Sequence, residues 1–135
     1  MTFLRYWGPL CGYAGLIFYL SSQPHPEEKL GPLITLFSDK TLHGVEYAVF
    51  AALCYRAIQG DGLASWRPYA IPSAIVLASL YGMSDEIHQA FVPFRDSSVY
   101  DWVADTVGAA LGAMVMHRLF NQRVVASQPD VLREP

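Results

Sequence analysis

Four apolar stretches alternate with polar connections along the chain. They cover roughly residues 4–22, 39–58, 68–89 and 99–120. Each has about the 20 residues that a helix needs to cross the hydrocarbon of a bilayer. None shows the apolar–polar alternation that is typical of a half-buried strand. The pattern therefore predicts an all-α fold: a polytopic membrane protein whose four-transmembrane-helix bundle forms one domain over residues 1–120.

The first stretch has two interpretations. Its apolar run follows Arg5 and covers residues 6–20, which also fits the charge and length of a secretory signal peptide. However, residues 21–24 read SSQP and do not form the small-residue cleavage site that such a peptide requires. We therefore expect an uncleaved anchor.

Two other segments are not expected to span the bilayer. The connection 23–38 contains three prolines, and its apolar part, residues 33–37, is too short to cross and should lie at the membrane interface. The last fifteen residues, 121–135, are polar and are expected to form a disordered tail.

Composition agrees with a membrane protein and argues against nucleic-acid binding. Hydrophobic residues make up 53% of the 135 residues and charged residues 16%, against about 25% charged in an average soluble domain. The net charge is −3 and no basic stripe is present. Cys11 and Cys54 both lie in apolar stretches, so we interpret them as packing residues without a disulfide.

Basic residues predict the orientation of the bundle, because loops rich in Lys and Arg stay in the cytoplasm. One side carries Arg5, Arg56, Arg67, Arg118 and Arg123, and the other side carries Lys29, Lys40 and Arg95. Both termini are therefore predicted to be cytoplasmic, and the connections 23–38 and 90–98 to face outward.

Charged and other polar residues gather at the outward ends of three predicted helices and in the loop between two of them. These residues are Asp39, Lys40, His43 and Glu46, then Asp85, Glu86, His88 and Gln89, then Arg95, and finally Asp101 and Asp105. Residues three or four apart share one face of a helix, so each group forms a patch. A Gly108-x-x-x-Gly112 step continues the face of the two aspartates, which predicts that this face points into the bundle.

The excess of carboxylates constrains this cluster, since they cannot all be ionised, buried and unpaired. Either some are protonated or a divalent cation such as Mg²⁺, Ca²⁺ or Mn²⁺ lies among them. The metal ligands stay unassigned, because no compact ligand motif is present. Lys40 can extend to the headgroups, but Glu46 and Asp105 lie about two turns deep, where a charge costs at least ~2.5–3.5 kcal/mol. Such residues either serve a function or form an ion-pair network that fixes helix packing.

At these residues the chain resembles the VanZ-like family of bacterial membrane proteins. The resemblance rests on the ordered segments DKxxHxxEY at 39–47, SDEIHQAFVP at 84–93 with Arg95, and DxxxDxxGxxxG at 101–112. It implies a multi-pass protein of the bacterial cytoplasmic (inner) membrane. One departure concerns Asp105, where many members carry Asn, so this position need not carry a charge.

The resemblance also implies a role at the cell envelope. The family takes its name from a protein linked to teicoplanin resistance, and that drug acts on cell-wall precursors outside the membrane. An outward polar site suits membrane lipids or a lipid-linked cell-wall precursor as partners. For such a site the candidate catalytic residues are Glu86, Asp101, Asp105 and His43, and the candidate binding residues are Asp39, Lys40, Glu46, Asp85, Gln89 and Arg95.

Two other functions stay open at this point. A transporter or proton relay needs polar groups through the whole membrane, and the inner helix halves offer few. A non-catalytic membrane adaptor needs the cluster only to fix helix packing or to contact a partner. The sequence does not decide between an enzyme and an adaptor, and it leaves the oligomeric state open.

Overall fold

The computed structural model describes residues 2–24, 39–61 and 64–126. These residues form four α-helices, and we label them α1 (Thr2–Ser21), α2 (Asp39–Asp61), α3 (Ala70–Gln89) and α4 (Val99–Ala126). A 3-10 helix, Ala64–Tyr69, precedes α3. No strand occurs within these three ranges. The prediction of an all-α protein with four helices is therefore confirmed.

Local chemistry explains where the helices begin and end. Ser98 caps α4, because its hydroxyl accepts a hydrogen bond from the backbone N–H of Tyr100 at 3.2 Å. α4 then continues to Ala126, six residues past its predicted end, since residues 121–126 contain neither Gly nor Pro to stop it. α3 begins two residues later than predicted, because Pro68 lies in the 3-10 helix. The predicted interfacial segment 33–37 and the tail from residue 127 lie outside the described residues.

The core lies between large side chains of α2 and small side chains of its neighbours. α2 contributes Tyr47, Phe50, Ala51, Cys54, Tyr55, Ala57 and Ile58; α3 contributes Ala70, Ala74 and Ala78; α4 contributes Ala109 and Ala113; and α1 contributes Leu10 and Ile17. Because alanines leave room beside the aromatic rings of α2, the helix axes can approach closely. Cys54 is buried, as expected of a packing residue, whereas Cys11 is exposed, and both cysteines are free.

The two glycines of α4 allow the closest helix contact. A side chain at Gly108 would overlap the backbone of Gly44, and one at Gly112 would overlap the backbone of Ala48. Both glycines are buried, so the predicted inward orientation of this face is confirmed. α2 and α4 therefore pack backbone to backbone, and this contact sets the register between their polar residues.

Many large apolar side chains point away from this core. They occur on all four helices and include Phe3 and Leu4, Val45 and Val49, Val76 and Leu80, and Leu111 and Val115. Judged by length together with mean hydropathy, none of the helices in the described ranges qualifies as a membrane-spanning segment.

Candidate functional site

The buried polar residues collect at one end of the bundle. They are Ser21, His43, Asp85, Glu86, Gln89, Asp101 and Asp105. The C-terminal ends of α1 and α3 meet the N-terminal ends of α2 and α4 here, because consecutive helices run in opposite directions. The structure therefore brings together residues that lie up to 84 positions apart in the chain.

A histidine and two carboxylates form the centre of this cluster, which we call the His43–Glu86–Asp105 triad. The Nδ1 atom of His43 lies 3.0 Å from Oδ1 of Asp105 and 4.0 Å from Oε1 of Glu86. The three side chains are 9%, 8% and 0% exposed, respectively. One donor atom from each residue lies within 4.8 Å of the other two, so the triad has a spacing that can hold a metal ion.

Two carboxylate oxygens of the triad have no hydrogen-bond partner among the described residues. They are Oε1 of Glu86 and Oδ2 of Asp105, and the buried hydroxyl of Tyr47 is in the same situation. Gly82 on α3 leaves space beside them, since a Cβ there would lie 2.9 Å from Oδ2 of Asp105 and 3.2 Å from the Tyr47 ring. Buried polar atoms are usually satisfied, so these oxygens require an explanation.

The second oxygen of Glu86 is used to hold the loop before α4. Oε2 accepts a hydrogen bond from the backbone N–H of Ser98 at 2.7 Å. The carboxylate of Glu86 therefore has a fixed orientation, with Oε1 directed towards His43. Ser98 was not among the predicted site residues, although a serine directly before an apolar helix is a recognisable N-cap.

Asp101 lies one helical turn from Asp105 and has a different partner. Its Oδ1 accepts a hydrogen bond from Nζ of Lys40 at 2.7 Å, and Lys40 also lies 6.0 Å from the centre of the Tyr100 ring. The Lys40 side chain is 55% exposed, whereas the Asp101 side chain is 7% exposed. This pair links α2 to α4 at the rim of the cluster. Neither Lys40 nor Asp101 belongs to the triad.

Gln89 and His88 connect α3 to the end of α1 by hydrogen bonds, and Asp85 bonds to Gln89 and interacts electrostatically with Asp105. Gln89 Nε2 donates to Asp85 Oδ2 at 2.9 Å and to the Ser21 hydroxyl at 3.4 Å. His88 Nε2 lies 3.0 Å from the Ser22 hydroxyl. These contacts tie the end of α1 to α3. Nothing in the spacing of the two serines along the sequence indicates these partners.

The remaining predicted binding residues surround the triad. Glu46 is half-buried and interacts electrostatically with His43, Asp105 and Arg95. Arg95 is also half-buried, and its Nε atom lacks a hydrogen-bond partner among the described residues. Asp39 begins α2, and its side chain lies outside the described part of the chain. The structure thus separates a central triad from a rim of charged residues.

A cleft between α3 and α4 reaches Glu86 from the outer surface of the bundle. It has a volume of about 310 Å³ and is lined by Met83, Glu86, Ile87, Ser97, Ser98, Val99 and Trp102. The lining is apolar except for the carboxylate of Glu86 and the two serines. A molecule with an apolar part and a small polar group fits such a lining.

A second group of polar side chains lies at the opposite end. The Tyr55 hydroxyl is 2.8 Å from Nδ1 of His117, whose Nε2 is 3.1 Å from Nδ2 of Asn121. The Gln59 amide donates to the Tyr55 hydroxyl at 3.3 Å. These groups bond to one another and hold α2 to α4, and no carboxylate takes part in these contacts, so the acidic end remains the candidate site.

The fold and site define a class of protein, an all-helical bundle that buries a histidine and several carboxylates at one end. The sequence model of the VanZ/LLP1 family matches residues 9–121. Since this match covers most of the chain, the protein belongs to the VanZ/LLP1 family, and the resemblance in the sequence is confirmed. No curated protein and no solved structure matches the chain.

Proposed function

We propose that the chain is a multi-pass protein of the bacterial cytoplasmic membrane whose acidic site binds or modifies the polar headgroup of a lipid or of a lipid-linked cell-envelope precursor. In this proposal both termini face the cytoplasm and the site faces outward, as the Lys and Arg distribution indicates. VanZ-family proteins are generally membrane-associated, which supports this location.

The outer surface of α4 supports contact with lipid. Val103, Val107, Leu111, Val115 and Leu119 recur at intervals of four, and each is between 47% and 56% exposed. From Val99 to Leu119 this row extends over 20 residue-to-residue steps, or about 30 Å at ~1.5 Å per step, the thickness of a hydrocarbon core. Exposed apolar surface of this extent marks a contact with a membrane or a partner.

The α3–α4 cleft is the route by which we expect a headgroup to reach the acidic site. Its mouth opens between Ile87 and Val99, which are 57% and 71% exposed, and its inner end is the carboxylate of Glu86. In a bilayer, a lipid lying against these apolar side chains has its headgroup at the depth of the acidic end. The polar group then reaches Glu86 without crossing the bundle.

The charges at this end indicate which headgroup fits. Carboxylates accept hydrogen bonds from hydroxyl groups, as in glycerol or a sugar, and Glu86 is the nearest acceptor. Lys40 and Arg95 add positive charge at the same end, where a phosphate can be bound. A headgroup with both hydroxyl groups and a phosphate therefore suits the site best.

Lipid retention tests this proposal. The purified protein is incubated with phosphatidylglycerol and phosphatidylcholine of matched acyl chains, and retained lipids are counted by native mass spectrometry. We expect a preference for phosphatidylglycerol, which carries hydroxyl groups that phosphatidylcholine lacks. Equal retention of the two lipids would refute headgroup recognition.

A pair of tryptophan variants tests whether the headgroup enters through the cleft. Val99→Trp fills the mouth of the cleft and changes none of the buried acids, so the preference should disappear. Val115→Trp places the same side chain on the same helix away from the cleft, and it should behave as wild type. A preference that survives Val99→Trp would exclude the cleft as the route.

A non-catalytic adaptor is the second candidate, and the Lys40–Asp101 pair favours it, because this contact joins α2 to α4. In an adaptor the pair only needs opposite charges. The exchange Lys40→Asp with Asp101→Lys should then restore a function that either single change removes. A lipid-modifying site would not recover, since the positive charge would have moved to a buried position.

A further inference from the structure

We propose that the His43–Glu86–Asp105 triad binds one divalent transition-metal ion, Mn²⁺ or Zn²⁺. The inference rests on the contacts within the triad and goes beyond the proposed headgroup function, because a cation can occupy the site with or without a lipid. Each ligand comes from a different helix: His43 from α2, Glu86 from α3 and Asp105 from α4.

The unsatisfied oxygens carry the proposal. Glu86 Oε1 and Asp105 Oδ2 are buried without hydrogen-bond partners, and their side chains are 8% and 0% exposed. When both carboxylates are ionised, they and the imidazole need positive charge between them to balance burial. A divalent ion supplies that charge and a bond to each residue, and a bidentate Asp105 carboxylate places Oδ2 as well as Oδ1 on the ion.

The distances agree with coordination after a small adjustment. Metal–ligand bonds of about 2.0–2.2 Å place two donor atoms of one ion roughly 3.0–3.4 Å apart. His43 Nδ1 and Asp105 Oδ1 are already 3.0 Å apart. Oε1 of Glu86 lies 4.0 Å from the same nitrogen. A side-chain rotation that moves this oxygen by less than ~1 Å brings it within the donor–donor distance of a shared ion. The ion takes the place of the proton between His43 and Asp105.

The ligand set selects the kind of metal. Mg²⁺ and Ca²⁺ bind through oxygen atoms, whereas an imidazole nitrogen favours Zn²⁺ and other transition ions. One nitrogen and two carboxylates therefore suit Mn²⁺ or Zn²⁺ better than Mg²⁺ or Ca²⁺. Three protein ligands also leave at least one position open for water or a substrate oxygen.

Gly82 is the positioning residue for this centre. Its missing side chain leaves room for Oδ2 of Asp105, which a Cβ would approach to 2.9 Å. Gly82→Ala keeps all three ligands and presses on one of them. The variant should therefore lower the affinity for the ion without removing a donor atom.

Metal content and calorimetry test the proposal. The protein is purified in detergent with an affinity tag that contains no histidine, stripped with EDTA, and titrated with Mn²⁺, Zn²⁺ and Mg²⁺. We expect about one Mn²⁺ or Zn²⁺ per chain and at least 10-fold weaker Mg²⁺ binding. Glu86→Gln and Asp105→Asn should each lower the affinity for the preferred ion by about 10–100-fold or more.

Asp96→Asn is the matched control. Asp96 is an exposed carboxylate in the loop between α3 and α4 and lies outside the triad, so this variant removes an acid from the same end and should bind the ion as wild type does. Wild-type protein that binds neither ion would overturn the proposal, as would equal affinity in wild type, Glu86→Gln and Asp105→Asn. The lipid-retention assay is read separately on EDTA-treated protein, so the failure of one proposal is distinguishable from the failure of the other.

Folding of the variants is checked by size exclusion and by melting with and without the ion. Binding to the folded state alone raises the melting temperature. Wild type and Asp96→Asn should show this rise and Asp105→Asn should not. A rise of equal size in all three proteins would place the ion elsewhere and would also overturn the proposal.

Discussion

The Nδ1 atom of His43 lies 3.0 Å from Oδ1 of Asp105, across the contact between α2 and α4. Both side chains are at least nine-tenths buried, so neither has water as an alternative partner. Removing His43 leaves Oδ1 of Asp105 unsatisfied in the core, which costs more than the net value of a hydrogen bond. The pair therefore links the candidate chemistry to the stability of the bundle.

Asp105→Ala should destabilise the folded protein by about 1–3 kcal/mol, because it removes the buried hydrogen bond between Nδ1 of His43 and Oδ1 of Asp105. Asp105→Asn should cost less, since the amide oxygen still accepts a hydrogen bond from Nδ1. Denaturant unfolding in detergent, with EDTA present, measures both changes. Equal losses would show that the charge of Asp105, rather than its hydrogen bond, holds this contact.

The contribution of the Lys40–Asp101 pair to stability should depend on the charges of the two side chains rather than on their shapes. Lys40 is 55% exposed, so Lys40→Gln should cost no more than about 1 kcal/mol. Lys40→Glu should cost more, because it places a second carboxylate beside Asp101. Adding Asp101→Asn to Lys40→Glu should recover part of that loss in the same unfolding assay. Equal stabilities for the Gln and Glu variants would contradict this view.

Gly108→Ala should disrupt the contact between α2 and α4, because its Cβ would overlap the backbone of Gly44. We expect a loss of about 1–3 kcal/mol, as for other overpacked cores. Gly12→Ala is the matched control, since a Cβ there meets nothing within 4 Å. That change should stabilise α1 by about 0.5–1 kcal/mol through helix propensity. Similar effects at both glycines would argue against the close helix contact.

Leu111→Arg tests whether the outer surface of α4 faces lipid. Leu111 is 56% exposed near the middle of the apolar row, so Arg there should cost about 2.5–3.5 kcal/mol in a membrane and little in water. We expect a fall in the amount of protein recovered in the membrane fraction. Gln122→Arg, an exposed change beyond the row, should leave recovery unchanged. Unchanged recovery for Leu111→Arg would count against lipid contact on this face.

Much of the architecture could be predicted from the sequence. Helix-length apolar stretches separated by proline and glycine predict four helices, since these two residues interrupt helices by their backbone geometry alone. The spacing of Asp101, Asp105, Gly108 and Gly112 predicts one inward face, because residues three or four apart lie on the same side of a helix. Both expectations depend only on the geometry within one helix.

The partners of each polar residue were decided only by the tertiary structure. Spacing along α2 places Lys40 and His43 near one another but does not say which of them meets Asp101 and which meets Asp105. That choice depends on the rotation and register of α2 against α4, which the packing of Gly108 and Gly112 on the α2 backbone sets. The unsatisfied oxygens of Glu86 and Asp105 are likewise a property of three helices together. The sequence therefore determined that a polar end exists, and only the packing of the helices decided which atoms meet in it.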